Sequence, residues 1–252
     1  MQPIRFTLQV IAASLTLSLA YISGAHAAAD EIQVYDGGLA DPGVFNLTWH
    51  NNYTISGDKT EPYPANHALN GVTEWAYGVN NWWEVGLYLP LYTINEGGGA
   101  RMNGFKLRTL FATPNAADRK FFYGFGMELG RNAKSWSDDL ITSEFRPIVG
   151  WHLGKVDVIF NPILGTNYKD GLGGLAFSPS TRVAYNASKN WAFALEEYAS
   201  LGTLNDLHSE THQLYGVVDY AGESFELQAG LGFGLTDASD NTVFKLIFAR
   251  DF

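Results

Sequence analysis

The chain has 252 residues, 26 acidic against 16 basic, a formal net charge of -10, and no cysteine. The acidic balance and the lack of any Lys/Arg cluster argue against nucleic acid or polyphosphate as partners. Without cysteine there is no disulfide framework, thiolate metal site or cysteine nucleophile.

Residues 1–27 read as a cleaved export signal. Arg5 supplies the positive start, Val10 to Ile22 is apolar apart from Ser and Thr, and Ala25-His26-Ala27 gives the small-x-small cleavage pattern. Losing Arg5, the only charge in that stretch, moves the net charge from -10 to -11. The apolar run is shorter than the ~20 residues a spanning helix needs, and no later segment is long enough either. Residues 28–43 are expected to form a periplasmic N-terminal segment, and the sequence leaves open whether its part around Glu31 to Gly43 plugs the lumen. Residues 44–252 are expected to form the folded unit.

From Val44 onward, period-two alternation dominates, as it does in strands whose two faces meet different environments. Phe45, Leu47 and Trp49 alternate with Asn46, Thr48 and His50. Thr73, Trp75, Tyr77 and Val79 alternate with Glu74, Ala76 and Gly78; after a turn placed at Asn80-Asn81, Trp83, Val85, Leu87 and Leu89 alternate with Glu84, Gly86 and Tyr88. Phe105, Leu107 and Phe111 oppose Lys106 and Arg108, and Phe121, Tyr123, Phe125, Met127 and Leu129 oppose Gly124, Gly126 and Glu128. Phe145, Val149 and Trp151 oppose Glu144 and Arg146, and Val156, Val158 and Phe160 oppose Asp157 and Asn161. Later come Val183 and Tyr185 against Arg182, Phe193 and Leu195 against Glu196, Val218 and Tyr220 against Asp219, and Leu227 and Leu231 against Glu226 and Gln228. The last run sets Phe244, Leu246 and Phe248 against Lys245 and Ile247.

That makes about twelve strands, an even count of the kind bacterial barrels use. Short connections at Asn80-Asn81, Pro114 to Asp118, Leu153 to Lys155, Asn186 to Asn190 and Ala221 to Ser224 alternate with longer ones, among them Ser56 to Asn70 and Leu201 to Glu210. Aromatic residues on the apolar faces gather beside the short turns: Phe45, Tyr77, Trp83, Phe111, Phe121, Trp151, Tyr185, Trp191, Tyr220, Phe225 and Phe252. Such a belt suits a membrane interface. Export signal, turn alternation and belt together favour an all-β, antiparallel transmembrane β-barrel over a soluble sandwich. Both termini are expected on the periplasmic side, with the chain delivered by the general secretory route to a Gram-negative outer membrane. Pro90, Pro147, Pro162 and Pro179 mark expected edges, bulges or a bent wall.

The polar faces place Glu74, Glu84, Lys106, Arg108, Glu128, Glu144, Arg146, Asp157, Arg182, Glu196, Asp219, Glu226 and Lys245 toward the lumen. There they form a structural ion-pair network, set the field inside a conduit, or do both. The acidic excess favours cations or neutral solutes over anions. Gly230, Gly232 and Gly234 lack a following helix and are read as inward glycines leaving lumen space.

His208-Ser209-Glu210 and His212 are placed in an outer loop. The His and Ser do not share a strand face, so no catalytic group is assigned and the protein is not expected to be an enzyme. His208 and His212 have a helical ligand spacing without a helix, so no metal site and no cofactor is expected from them.

The hairpin Glu74-Trp75-Ala76-Tyr77-Gly78-Val79-Asn80-Asn81-Trp82-Trp83-Glu84-Val85-Gly86-Leu87-Tyr88-Leu89-Pro90 resembles the outer-membrane transporters named for the meta-cleavage pathway of phenol degradation. In them a Glu, a Tyr-Gly turn, a second polar residue and a Leu-Pro recur. The resemblance implies a barrel that admits hydrophobic or aromatic compounds, and it carries over Glu74, Tyr77, Gly78, Glu84 and Pro90 as motif positions. Phe252, with Phe248, Leu246 and Phe244 on one face, looks like the C-terminal signal read by barrel-assembly machinery, from which Arg250 departs. The expected function is passive uptake or efflux of small, hydrophobic or aromatic, molecules across a lipid outer membrane. The alternatives are a lipid-modifying barrel enzyme and a closed structural or surface-binding barrel.

Overall fold

The computed structural model describes residues 30–59 and 65–252. The export signal expected over 1–27 lies outside them.

The alternation becomes fourteen strand segments, β1 (Phe45–Ser56), β2 (Leu69–Asn80), β3 (Trp83–Ile94), β4 (Ala100–Ala112), β5 (Phe121–Asn132), β6 (Ile141–Leu153) and β7 (Val156–Asn161) forming the first half. The second half is β8 (Leu164–Thr166), β9 (Ala176–Phe177), β10 (Ser180–Asn186), β11 (Trp191–Thr203), β12 (Asp206–Ala221), β13 (Glu226–Gly234) and β14 (Thr242–Asp251). The strand pairings are all antiparallel, and β1 closes the sheet on β14, with Trp49 opposite Phe248. The sheet therefore has no free edge, and its backbone groups are satisfied without solvent. β7 continues as β8, and β9 as β10, so the wall has twelve strands, as the periodicity predicts.

Those two interruptions fall at Pro162 and Pro179, each of which lacks the N–H a ladder needs. Ser178 N donates to Ile163 O at 2.9 Å across the gap, and Ala199 N to Pro179 O at 3.0 Å, so the neighbouring strands remain tied. Pro90 sits where the β3–β4 register slips between Tyr88 and Leu91. Pro147 is different: it keeps register, opposite Phe125.

The outward face carries exposed large apolar side chains all round the wall, including Trp49, Trp75, Leu107, Phe125, Phe193, Leu214 and Phe233. Contiguous apolar surface on this scale is untenable in water and suits a hydrocarbon slab. Among the described residues no helix is long and apolar enough to cross a membrane. The aromatic belt collects at the rim of the short turns. Its rings touch in a series, Phe45 with Tyr77 at 4.7 Å, Trp83 with Phe111 at 6.1 Å, Phe121 with Trp151 at 5.6 Å, and Trp191 with Tyr220 at 4.9 Å.

Three local expectations are corrected. The β2–β3 turn is Asn81-Trp82, one residue later than predicted, because Asn80 still pairs with Trp83. The loop expected over Leu201 to Glu210 is instead a tight hairpin at 204–205, with β11 and β12 running on to Thr203 and Asp206. Turn length therefore alternates less cleanly than predicted: 113–120 on the short-turn rim is longer than 204–205 on the other.

Candidate functional site

The segment expected to lie in the periplasm over 28–43 enters the barrel instead. Its described residues up to Ala40 run through the lumen, and Pro42 bridges to Gly78 at the short-turn rim. A charged interior must be hydrated or matched, and this irregular segment supplies backbone and side-chain partners to the wall. Asn52 Nδ2 of β1 donates to Asp30 O at 3.0 Å, and Lys245 Nζ of β14 donates to Ile32 O at 3.1 Å. Arg146 of β6 donates to Gln33 O at 3.0 Å, and Ala40 N donates to Glu84 Oε2 of β3 at 2.6 Å. Ile32, Val34 and Tyr35 are each buried against side chains from opposite walls.

Tyr35 sits at the centre. Its hydroxyl lies 2.6 Å from the Tyr88 hydroxyl and 3.3 Å from Glu128 Oε1, and its ring centre lies 4.1 Å from the Arg146 guanidinium carbon. Around it is one network of nine charged groups. Arg108 holds Glu74 and Glu84 together, Lys106 bridges Asp30 (2.7 Å) and Glu128 (3.4 Å), and Arg146 pairs with Glu144 at 2.8 Å. Glu31 is the ninth; it accepts from the Tyr88 hydroxyl at 3.4 Å and has no ion-pair partner among the described residues. Asp30, Glu31, Glu74, Glu84, Glu128 and Glu144 thus face only Lys106, Arg108 and Arg146, an excess of three carboxylates.

A second network on the opposite wall is balanced. Arg182 pairs with Glu196 and Asp219, and Lys245, wholly buried, pairs with Glu196 and donates to Gln228 Oε1 at 2.8 Å. Tyr198 donates to Glu196 at 2.6 Å, and Gln228 to Asp219 at 2.7 Å.

Of the thirteen residues expected to line the lumen, all but Glu226 are buried or half-buried. Eleven belong to the ion-pair networks above, and Asp157 is hydrogen-bonded to His152 at 2.6 Å. Glu226 is exposed at the short-turn mouth. There a vestibule of about 790 Å³ opens, lined by the segment from Gln33 to Ala40 and by Arg182, Asp219, Gln228 and Glu226.

The glycines read as lumen space do not leave it. A Cβ on Gly232 would lie 2.3 Å from the Tyr215 ring, and one on Gly230 2.9 Å from Lys245 Cε, so neighbouring side chains already fill that room. His208 and Glu210 lie on β12 rather than in a loop, 3.2 Å apart, and His212 contacts Glu197 at 2.7 Å. Ser209 is on the same strand. Phe244, Leu246 and Phe248 share the outer face of β14, and Arg250 lies over the Phe252 ring at 5.2 Å.

Sequence reasoning did not find Asp30, Tyr35, Tyr88 or Asn161 as partners. The segment 30–41 has no periodicity, so only the polar residues on the inner faces of β1, β3 and β7 hinted that something filled the lumen.

No family model and no curated protein matches the chain. Solved structures do match it by fold. An outer membrane channel from Pseudomonas putida F1 aligns at 14% identity with a TM-score of 0.58, covering 88% of this chain and 100% of that one. The KdgM porin aligns at 10% identity with a TM-score of 0.55, covering 82% of this chain and 99% of that one. Its complex with disordered oligogalacturonate aligns at 8% identity with a TM-score of 0.53, over 82% and 99%. These likenesses establish the fold as that of outer-membrane barrels.

Proposed function

We propose that this barrel is an outer-membrane channel for small molecules, held shut in the structure described by its own N-terminal segment. The observation that carries the reading is the union of a closed, lipid-suited wall with a charged lumen whose middle is filled by one non-strand segment rather than by the wall itself. A barrel serving only as a scaffold has no need of a separable filling, whereas a conduit closed by a displaceable segment does. The resemblance at Glu74 to Pro90 supports hydrophobic or aromatic solutes of the size the vestibule holds, about 790 Å³. Both termini then lie in the periplasm, lipid surrounds the belt, and Phe252 with Phe248, Leu246 and Phe244 engages the assembly machinery.

The test is planar-bilayer conductance and liposome solute uptake by the purified full chain, compared with a variant whose segment is loosened at Tyr35→Ala. The channel reading expects a small conductance that rises severalfold in the variant. A silent wild type together with a silent variant would sink it. That outcome would favour the second reading, a closed barrel acting through its loops, which the buried ion-pair networks on both walls support.

A further inference from the structure

His50 projects from β1 into the interior with no solvent exposure, and neither of its ring nitrogens has a hydrogen-bond partner among the described residues. A buried imidazole in that condition is costly and asks for a ligand. Two carboxylates face it. Glu74 Oε2 of β2 lies 3.7 Å from His50 Nε2, its other oxygen being held by Arg108, and the Oε2 atom of Glu31 has no hydrogen-bond partner among the described residues. One ligand atom from each of Glu31, His50 and Glu74 lies within 4.8 Å of the others, and all three residues are buried.

We propose that Glu31, His50 and Glu74 bind a divalent transition-metal cation of the zinc type, which fastens the N-terminal segment to the wall. Metal–ligand distances of about 2.0–2.2 Å put tetrahedral ligand atoms roughly 3.4 Å apart, so His50 and Glu74 are nearly in place. Glu31, on irregular backbone, has to move by roughly 1 Å. Imidazole with carboxylate and no thiolate selects zinc, iron or manganese chemistry over the harder calcium and magnesium ions. Charge points the same way: the surrounding network carries three more carboxylates than cations, and a dication reduces that excess to one, while the opposite network, already neutral, offers no such group. The Tyr88 hydroxyl, donating to Glu31 Oε1 at 3.4 Å, and Arg108 on Glu74 orient the ligands from behind.

The experiment loads the chelator-stripped, detergent-purified full chain with Zn²⁺, measures bound metal by mass spectrometry, and measures affinity by competition with a chromophoric chelator. The expected result is one zinc per folded chain. Glu31→Gln and His50→Ala should each weaken binding by at least about tenfold, the loss that removing even an outer partner of a ligand produces. Heat-modifiable gel mobility reports that each variant is folded, and if His50→Ala does not assemble, Glu31→Gln alone decides. His67→Ala and His208→Ala, at exposed His–carboxylate pairs, should leave binding unchanged. Zinc absent from the folded wild type, zinc bound equally by Glu31→Gln, or zinc lost in His67→Ala or His208→Ala overturns the proposal. Metal content is read without conductance, so this inference and the channel reading fail separately.

Discussion

Tyr35 and Asn161 exchange two hydrogen bonds across the lumen: Tyr35 N donates to Asn161 Oδ1 at 2.7 Å, and Asn161 Nδ2 donates to Tyr35 O at 3.0 Å. The side-chain amide thus does for one residue of the segment what a neighbouring strand would do. Both residues are buried, so removing the amide strands an N–H and a C=O away from water. Asn161→Leu is expected to weaken docking of residues 30–41 by about 2–6 kcal/mol, two unsatisfied groups at the usual cost. Hydrogen-exchange mass spectrometry in micelles should show that segment exchanging faster while β3 to β6 stay protected. Unchanged exchange would mean that Asn161 does not hold the segment.

Phe122 has no solvent exposure and lies over Gly150, its cross-strand partner, where an added Cβ would meet the ring at 2.0 Å. The ring is also wedged against Gly37 of the segment, so it has nowhere to retreat. Gly150→Ala should therefore cost about 1–3 kcal/mol of barrel stability, the range for overpacking a filled core. Gly99→Ala, where nothing lies within 4 Å, serves as the neutral control. Thermal unfolding followed by gel mobility distinguishes the two.

The wall was legible because each strand has an exposed apolar face and a polar inner one, so Glu74, Lys106, Glu128 and Lys245 declared their direction by position alone. Pro162 and Pro179 also announced the breaks they cause. The hairpin at 204–205 was hidden because Asp206, His208 and Glu210 are polar where the strands rise beyond the apolar belt, and polarity there reads as loop. The N-terminal segment was hidden for another reason. Its partners Asn52, Tyr88, Arg146, Asn161 and Lys245 come from five strands, and no local spacing encodes a contact between residues more than 100 positions apart, such as Tyr35 with Asn161. Glu31, His50 and Glu74 meet by the same route, from the segment and two adjacent strands.

Beyond the belt, Asp139 and Lys169 clasp two loops, with Asn167 donating to Asp139 Oδ2 at 3.0 Å. Burial pushes the Asp139 carboxyl up, but the Lys169 ammonium and the Asn167 amide outweigh it and hold it below the usual carboxylate range. Asp139 in turn raises Lys169. A carboxyl lowered in the folded state stabilises above its unfolded value and loses that contribution as pH falls through its folded value; a raised ammonium stabilises below its unfolded value and loses it as pH rises. The clasp should accordingly persist from about pH 4 to about pH 10 and open outside that window. Spin labels on residues 135 and 170 should report a broadened distance distribution below it, and Lys169→Ala should show that broadening at neutral pH.

Lys245 and Glu196 form an ion pair in which neither side chain touches solvent. Lys245→Met leaves the buried Glu196 with Arg182 as its one remaining ion-pair partner and Ile32 O without its donor, so it should cost up to about 3–5 kcal/mol. Glu196→Gln alone should also be costly, because it removes the carboxylate that Arg182 and Lys245 share. In the double variant the stranded charges are reduced to Arg182, which keeps Asp219, so the combined loss should be smaller than the sum of the two. Denaturant unfolding of the four proteins in one detergent gives the coupling directly. Additive losses would mean that the two side chains act independently, with the Gln228 and Tyr198 hydrogen bonds to Lys245 sufficient to hold its charge.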